Sequence, residues 1–128
     1  MISSNIEDYL EKIYLFIQKH DRPVRTTELA QLLNINPSAI TSMAKKLHSK
    51  EYILYEPYIG IRLTEKGEKV AKKIIRKHEL IELFLRDYLK LDGKKASEEA
   101  CKIEHVISDE TIEKLYDYMN KSKKNKFD

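Results

Sequence analysis

The sequence predicts a mainly α-helical protein interrupted by one two-stranded hairpin. Three observations predict this. Apolar residues recur at helical spacing in several separate stretches, beginning with Ile6, Leu10, Ile13, Tyr14 and Ile17. That period changes in one region, where YILYE and IRLT flank PYIG and read as a hairpin with Pro57 and Gly60 in the turn. Only three glycines and three prolines punctuate 128 residues, which favours helices over a turn-rich fold.

Each element follows from local chemistry. The first helix covers Ile6 to Ile17 and ends at Asp21-Arg22-Pro23. A short helix, TTELAQLL, is expected to be capped by Thr26 or Thr27 and to close near Asn34. The next, NPSAITSMAKKLHSK, starts with Asn36 as N-cap and Pro37 in the first turn, with Ile40, Met43, Ala44 and Leu47 as its inner stripe. After the hairpin a long helix runs from about Glu65 to Leu89, with Val70, Ile74, Ile81, Leu85 and Leu89 on its apolar face. LDGKK breaks the chain. Two shorter helices close it, with Ser97 and Ser108 as expected N-caps, and KSKKNKFD reads as frayed basic sequence. The hairpin end divides the chain into an N-terminal domain, 1–64, and a C-terminal domain, 65–128.

Composition narrows the function classes. No run approaches the roughly 18–20 apolar residues that cross a bilayer. MISSNIEDYL has no basic stretch followed by an apolar one, so it is no secretory signal. The expectation is a cytoplasmic protein without membrane contact. The single cysteine, Cys101, cannot form an internal disulfide, which fits a reducing compartment. A net charge of +3 permits nucleic-acid binding without arguing for it, so the placement of charge matters more than its sum.

Two short helices, a tight turn and a hairpin make the order of a winged helix-turn-helix. In that geometry the second helix lies in the major groove of double-stranded DNA with its N-terminal half at the base edges. With its apolar stripe turned inward, Pro37, Ser38, Ala39, Thr41, Ser42, Lys45 and Lys46 are left outside. Small polar residues come first, where bases are reached, and lysines follow, where phosphates lie. Arg62 sits between inward-facing Ile61 and Leu63 and should point outward to a phosphate, with Arg22 and Arg25 helping from below. Winged helices also serve as protein-interaction modules, so the fold alone leaves that alternative open.

A second constellation asks for a cation. His78 and Glu82, at i and i+4, fall inside the apolar stripe of the long helix. A carboxylate on such a face must be paired, protonated or bound to a cation. On the first helix Asp8, Glu11 and Leu15 form a second stripe, in which Leu15 indicates that this face packs as well. In EEACKIEH, Cys101, Glu104 and His105 project from one face of a helix. The candidate ligands are therefore Asp8, Glu11, His78, Glu82, Cys101, Glu104 and His105, enough for one mixed site or two adjacent ones. Carboxylate and imidazole suit Mn²⁺ and Fe²⁺, while a thiolate moves the preference towards Fe²⁺, Co²⁺, Ni²⁺ or Zn²⁺. A helical metalloenzyme is disfavoured, because the chain lacks a Glu-x-x-His pair of the di-iron kind and any Gly-rich loop.

EDYLEKIY, NPSAITSMAKKL, YEPYIGIRLTEKGEKVAKKIIRKHELIELFL and EEACKIEHVISDE, in that order, resemble the diphtheria toxin repressor and manganese transport regulator family of metal-dependent transcriptional repressors. The likeness runs from about residue 4 to 118. It implies a homodimer that binds a DNA operator when loaded with Mn²⁺ or Fe²⁺, other divalent transition metals being possible in vitro, and that represses metal-uptake genes. It also implies that the metal ties the DNA-binding domain to the dimerisation domain. Asp8 and Glu11 match the family's manganese-type members, whereas Cys101 matches its iron-type members. His78, Glu104 and His105 match both branches. Glu82 matches an ancillary site whose second histidine falls at Ser97 here, so that site is incomplete. Iron-type members often carry a further SH3-like domain, which is not expected in this sequence. A metal-independent winged-helix regulator, its acidic and histidine residues held in salt bridges, is the principal rival reading.

Dimerisation has support of its own. Apolar stripes on the long helix and on the last one (Ile112, Leu115, Tyr116 and Met119) offer more surface than one wing can cover.

Overall fold

The computed structural model describes residues 4–127, with side chains for 5–122, and its contacts divide the chain into two compact units, Met1–Lys73 and Ile74–Asp128.

The N-terminal unit begins with α1 (Ser4–His20), which buries Ile6, Leu10 and Ile13. Asp21 ends it in the left-handed region, at φ 52°, with its N–H returning to the Ile17 carbonyl. Leu15 is 44% exposed. The expectation that its face packs is therefore corrected at that position. Leu15 lies two residues, about 200°, around the helix from the buried Ile13.

The second helix, α2 (Thr26–Leu33), buries Leu29 and Ala30 and ends at Asn34 in the left-handed region, as the sequence indicated. Its N-cap is Arg25, not Thr26 or Thr27. Arg25 offers no acceptor; instead Glu28 reaches back, and its Oε1 accepts the Arg25 backbone N–H at 3.0 Å. Glu28 is held in place by a two-pronged bond from Arg22, at 2.9 and 2.7 Å. The third helix, α3 (Pro37–Ser49), starts as expected: Asn36 accepts the Ser38 N–H at 3.0 Å and Pro37 occupies the first turn.

Strands β1 (Ile53–Glu56) and β2 (Gly60–Leu63) form the antiparallel wing, pairing Ile53 with Leu63 and Glu56 with Gly60. Val24 bridges to Ile61 on its other side. Ile61 is wholly buried while Arg62 is exposed, as alternation along a strand requires. Thr64 caps α4 (Glu65–Leu83), its hydroxyl accepting the Gly67 N–H at 3.1 Å. Gly67 allows a close approach: a Cβ there would collide with the Tyr52 carbonyl oxygen. Ile13, Val24, Leu29, Ile40, Leu47, Ile53 and Ala71 belong to one core that holds the three helices, the wing and the start of α4.

In the C-terminal unit α4 does not continue regularly to Leu89. It passes at Phe84–Tyr88 into a π-helical turn. The wider turn breaks the 3.6-residue register, so Leu85 is buried while Leu89 is 56% exposed and leaves the predicted stripe. Lys90, at φ 62°, follows in the left-handed region. Asp92, rather than Ser97, caps α5 (Gly93–Ile103), accepting the Lys95 N–H at 3.0 Å, so the helix starts four residues before the predicted cap. Ser108 does cap α6 (Asp109–Phe127), accepting the Thr111 N–H at 3.1 Å. The tail read as frayed is helical as far as Phe127, while the side chains of 123–128 lie outside the described residues. Ile81, Leu85, Ala96, Ala100 and Ile112 form this unit's core.

Candidate functional site

The candidate nucleic-acid face belongs to the N-terminal unit. Ile40, Ala44 and Leu47 are buried and Met43 is partly buried, which fixes the rotation of α3. That rotation exposes Pro37, Ser38, Ala39, Ser42, Lys45 and Lys46. Thr41 is half-buried, and its hydroxyl donates to the Pro37 carbonyl at 3.2 Å. Arg25 and Arg62 are exposed. Arg22 is engaged with Glu28 and stands 4.9 Å from the Phe16 ring centre, so it is less free to reach a phosphate than the sequence suggested. The Arg22 guanidinium holds the Glu28 carboxyl down at about 2. One contact escaped the sequence reading: His48 Nδ1, in the last turn of α3, accepts the Tyr55 N–H of the wing at 3.0 Å. Nothing local announces it, because its partner is set by how β1 folds back.

The candidate metal centre of the C-terminal unit is built around Glu104. Its side chain is 1% exposed. His78 Nδ1 lies 2.9 Å from Glu104 Oε2, and His105 Nε2 lies 3.3 Å from Oε1. Cys101 Sγ stands 3.7 Å from the same His78 Nδ1. Donor atoms of His78, Cys101 and Glu104 all lie within 4.8 Å of one another. Glu82 closes the other side of the imidazole, with Oε2 3.0 Å from His78 Nε2. Two imidazoles, those of His78 and His105, approach different oxygens of this buried carboxylate. Imidazole nitrogen, carboxylate oxygen and sulfur converging at this spacing form a donor set that fits a first-row divalent ion.

Local sequence explains how these groups meet. Cys101 and Glu104, three apart, fall on one side of the end of α5. The helix stops at Ile103, however, so Glu104 and His105 lie in the following turn and not on the helix itself. Arg76, Lys77 and His78 then each take a different partner in this unit. Arg76 bonds Glu113 at 2.7 Å, Lys77 donates to the Ile107 carbonyl at 2.8 Å and pairs with Asp109 at 3.1 Å, and His78 meets Glu104. The turn that carries Glu104 is thereby tied to α4 on both sides. Arg76 and Lys77 thus act as positioning residues that the sequence analysis does not single out, although their place beside His78 in RKH is a usable signal.

Asp8 and Glu11 lie one turn apart on α1, in the N-terminal unit. Asp8 is half-buried and Glu11 is 7% exposed. Burial of Glu11 agrees with the expectation that part of this second stripe is covered.

Comparison with known proteins decides the family. Residues 1–61 match the N-terminal DNA-binding domain of iron-dependent repressors, and residues 64–127 match their metal-binding and dimerisation domain. The chain belongs to the iron-dependent repressor family. As a member, it is a metal-dependent transcriptional regulator with a DNA-binding domain and a dimerisation domain, in a family that is not enzymatic. It is 62% identical over 122 residues to an uncharacterised helix-turn-helix transcriptional regulator of Methanocaldococcus jannaschii, covering 95% of this chain and 98% of that one. Against the regulator MntR of Bacillus subtilis identity is 38% over 117 residues, 91% of this chain and 81% of MntR. The solved structure of the manganese regulator SloR superposes with a TM-score of 0.77 at 34% identity, covering 90% of this chain. This repressor-family chain spans about half of that solved one, 53% of its length. Among its described residues no helix is long and apolar enough to cross a membrane.

Proposed function

We propose that the protein is a homodimeric repressor that binds its operator when loaded with Mn²⁺ or Fe²⁺ and so controls metal-uptake genes. The observation that carries this reading is the convergence of donor atoms from His78, Cys101 and Glu104 within 4.8 Å of one another, around a carboxylate only 1% exposed. Bound there, a divalent cation would supply fixed positive charge and a fixed geometry, and no redox or hydrolytic chemistry is required of it. Glu104 would provide anionic oxygen, His78 and His105 neutral nitrogen, and Cys101 a sulfur that deprotonates on binding. Glu82 would either ligate or orient His78. Asp8 and Glu11 are proposed as further ligands from their place in the sequence pattern, as is a domain division after residue 64.

On the DNA side, Pro37, Ser38, Ala39, Thr41 and Ser42 would meet base edges, while Arg25, Lys45, Lys46 and Arg62 would meet phosphates. Two copies would set the spacing of two recognition helices on successive major grooves. Metal affinity and DNA affinity are then coupled reciprocally, by about 1–3 kcal/mol in typical cases. The manganese regulator among the similar structures favours Mn²⁺ as the physiological ion; the thiol of Cys101 favours Fe²⁺.

The test is a DNA-binding titration of the purified protein with Mn²⁺ and with Fe²⁺, each against a chelated control. Tighter binding with cation is expected. Equal affinity after full chelation would establish the metal-independent rival instead.

A further inference from the structure

We propose that His48 is a positioning residue whose neutral ring fastens β1 to α3, and that a proton on this ring undoes the fastening and lowers the preference for the operator. The consequence for DNA rests on the DNA-binding reading above; the release itself does not.

The hairpin register shows why the contact is needed. On β2, the Ile61 N–H donates to the Val24 carbonyl at 2.8 Å, and the Ile61 carbonyl accepts the Val24 N–H at 3.1 Å. Ile61 thus turns its backbone polar groups away from β1. The facing pair Tyr55–Ile61 is therefore one whose members do not bond each other. Tyr55 must then point its own N–H out of the opposite edge of the hairpin. There His48 Nδ1, in the last turn of α3, accepts it at 3.0 Å. A two-stranded hairpin has little stability of its own, so bonds along its edges fix where it sits.

The edge bond allows only one protonation state. A neutral imidazole has one bare nitrogen, and a charged one has none. With Nδ1 accepting, the ring proton sits on Nε2. A second proton, taken from solvent, lands on Nδ1 and sets two N–H groups against each other. The bond is then lost and the Tyr55 N–H is left without it. Histidine is the side chain whose charge changes between about pH 5 and 8, so mild acid suffices to reach the charged form. The hold is present while the ring is neutral and is lost as pH falls.

The charges around the ring offset one another. From α4, Glu65, Lys66 and Lys69 line the same cleft as His48, with Glu51 from the end of α3. Lys66 is committed to the Lys50 carbonyl at 3.1 Å and to the Tyr52 ring, 4.3 Å from its centre. Lys69 and Glu65 stand 3.9 Å apart as a pair. Lys45 one turn back on α3, Glu56 on β1 and Arg62 on β2 are exposed to solvent. The Tyr55 bond is thus the contact that separates the two states of the ring. Its loss frees the wing, which carries Arg62, from α3, which carries Lys45 and Lys46. Phosphate contacts from both elements then no longer hold one fixed spacing.

The experiment compares the full wild-type chain with His48→Asn, whose Oδ1 takes the place of Nδ1 and accepts the same N–H without titrating. In NMR spectra from about pH 8 to 5, the wild-type Tyr55 amide should shift along the His48 titration curve, and the amide of the variant should stay still. For DNA, a duplex selected by wild type from a random pool is bound with saturating Mn²⁺ at about pH 7.5 and 6. The ratio of random-duplex Kd to selected-duplex Kd should fall about threefold to tenfold more in wild type than in the variant, the factor one hydrogen bond is worth. Loss of metal in acid acts on both proteins alike, so the difference between them isolates His48. The proposal is overturned if the Tyr55 amide ignores the His48 titration, or if both proteins lose specificity in parallel. If wild type selects no duplex even at the higher pH, the DNA-binding reading fails and the consequence for DNA falls with it. The amide titration is independent of that outcome and decides the release by itself.

Discussion

His78 Nδ1 lies 2.9 Å from Oε2 of Glu104, a carboxylate only 1% exposed. The pair joins α4 to the turn after α5 across 26 residues of chain. Glu104 is central to the cluster, so the Glu104→Gln variant should bind Mn²⁺ at least about tenfold more weakly, because even groups outside the ligand shell cost 10–100-fold when removed. Glutamine keeps the shape and a hydrogen bond to His78, so the metal-free protein should melt near the wild-type temperature. Calorimetric titration and thermal melts check both halves. Unchanged Mn²⁺ affinity would remove Glu104 from the ligand set.

Cys101 should decide which ion is preferred. Replacing its sulfur by oxygen in Cys101→Glu should lower the ratio of Zn²⁺ to Mn²⁺ affinity by about tenfold or more, since thiolates favour the softer ion. Competition titrations read the ratio directly. A constant ratio would show that the thiol, 3.7 Å from His78, is a bystander.

Lys45 and Lys46 are exposed on α3, past the residues proposed to meet bases. If each meets one phosphate in both copies of the dimer, the Lys45→Ala, Lys46→Ala double variant removes four contacts and should lower the slope of log K against log salt by about 3.6, with similar losses on specific and random duplexes. A preserved slope would place both lysines off the DNA.

Gly67 is fixed by sterics. A Cβ there meets the Tyr52 carbonyl, which also accepts the Thr64 N–H at 3.2 Å at the start of α4. The Gly67→Ala variant should lose about 1–3 kcal/mol of stability, despite alanine's better helix propensity. Denaturant unfolding measures this, and a stabilised variant would contradict the close approach.

The Arg22–Glu28 pair gives a pH signature. Its carboxyl sits at about 2, below the ordinary 4.5, because of the Arg22 and Arg25 hydrogen bonds it accepts. A depressed carboxyl contributes stability that is full above pH 4.5 and is lost as pH falls towards 2. The gap in melting temperature between wild type and Glu28→Gln should therefore be constant near neutrality and close in acid. The pair is partly solvated, so the gap should be small.

The sequence by itself determined the order and kind of the elements. Periodicity marked the helices, the Asn36-Pro37 start and the Ser108 cap were legible from residue type, and the shift to period 2 marked the wing. It also brought Cys101 and Glu104 to one side, because three-residue spacing is a local property of helical backbone. Tertiary structure alone decided which faces are covered. Leu15 and Leu89 fit apolar stripes yet stand exposed, one on the uncovered side of α1 and the other beyond a π-helical turn. The 1% exposure of Glu104, the partners of Arg76 and Lys77, and the His48–Tyr55 bond all depend on segments that return from elsewhere in the chain. Spacing along a sequence fixes angles around one helix axis. Burial depends on what arrives against that helix, and this is set by the packing of the whole unit.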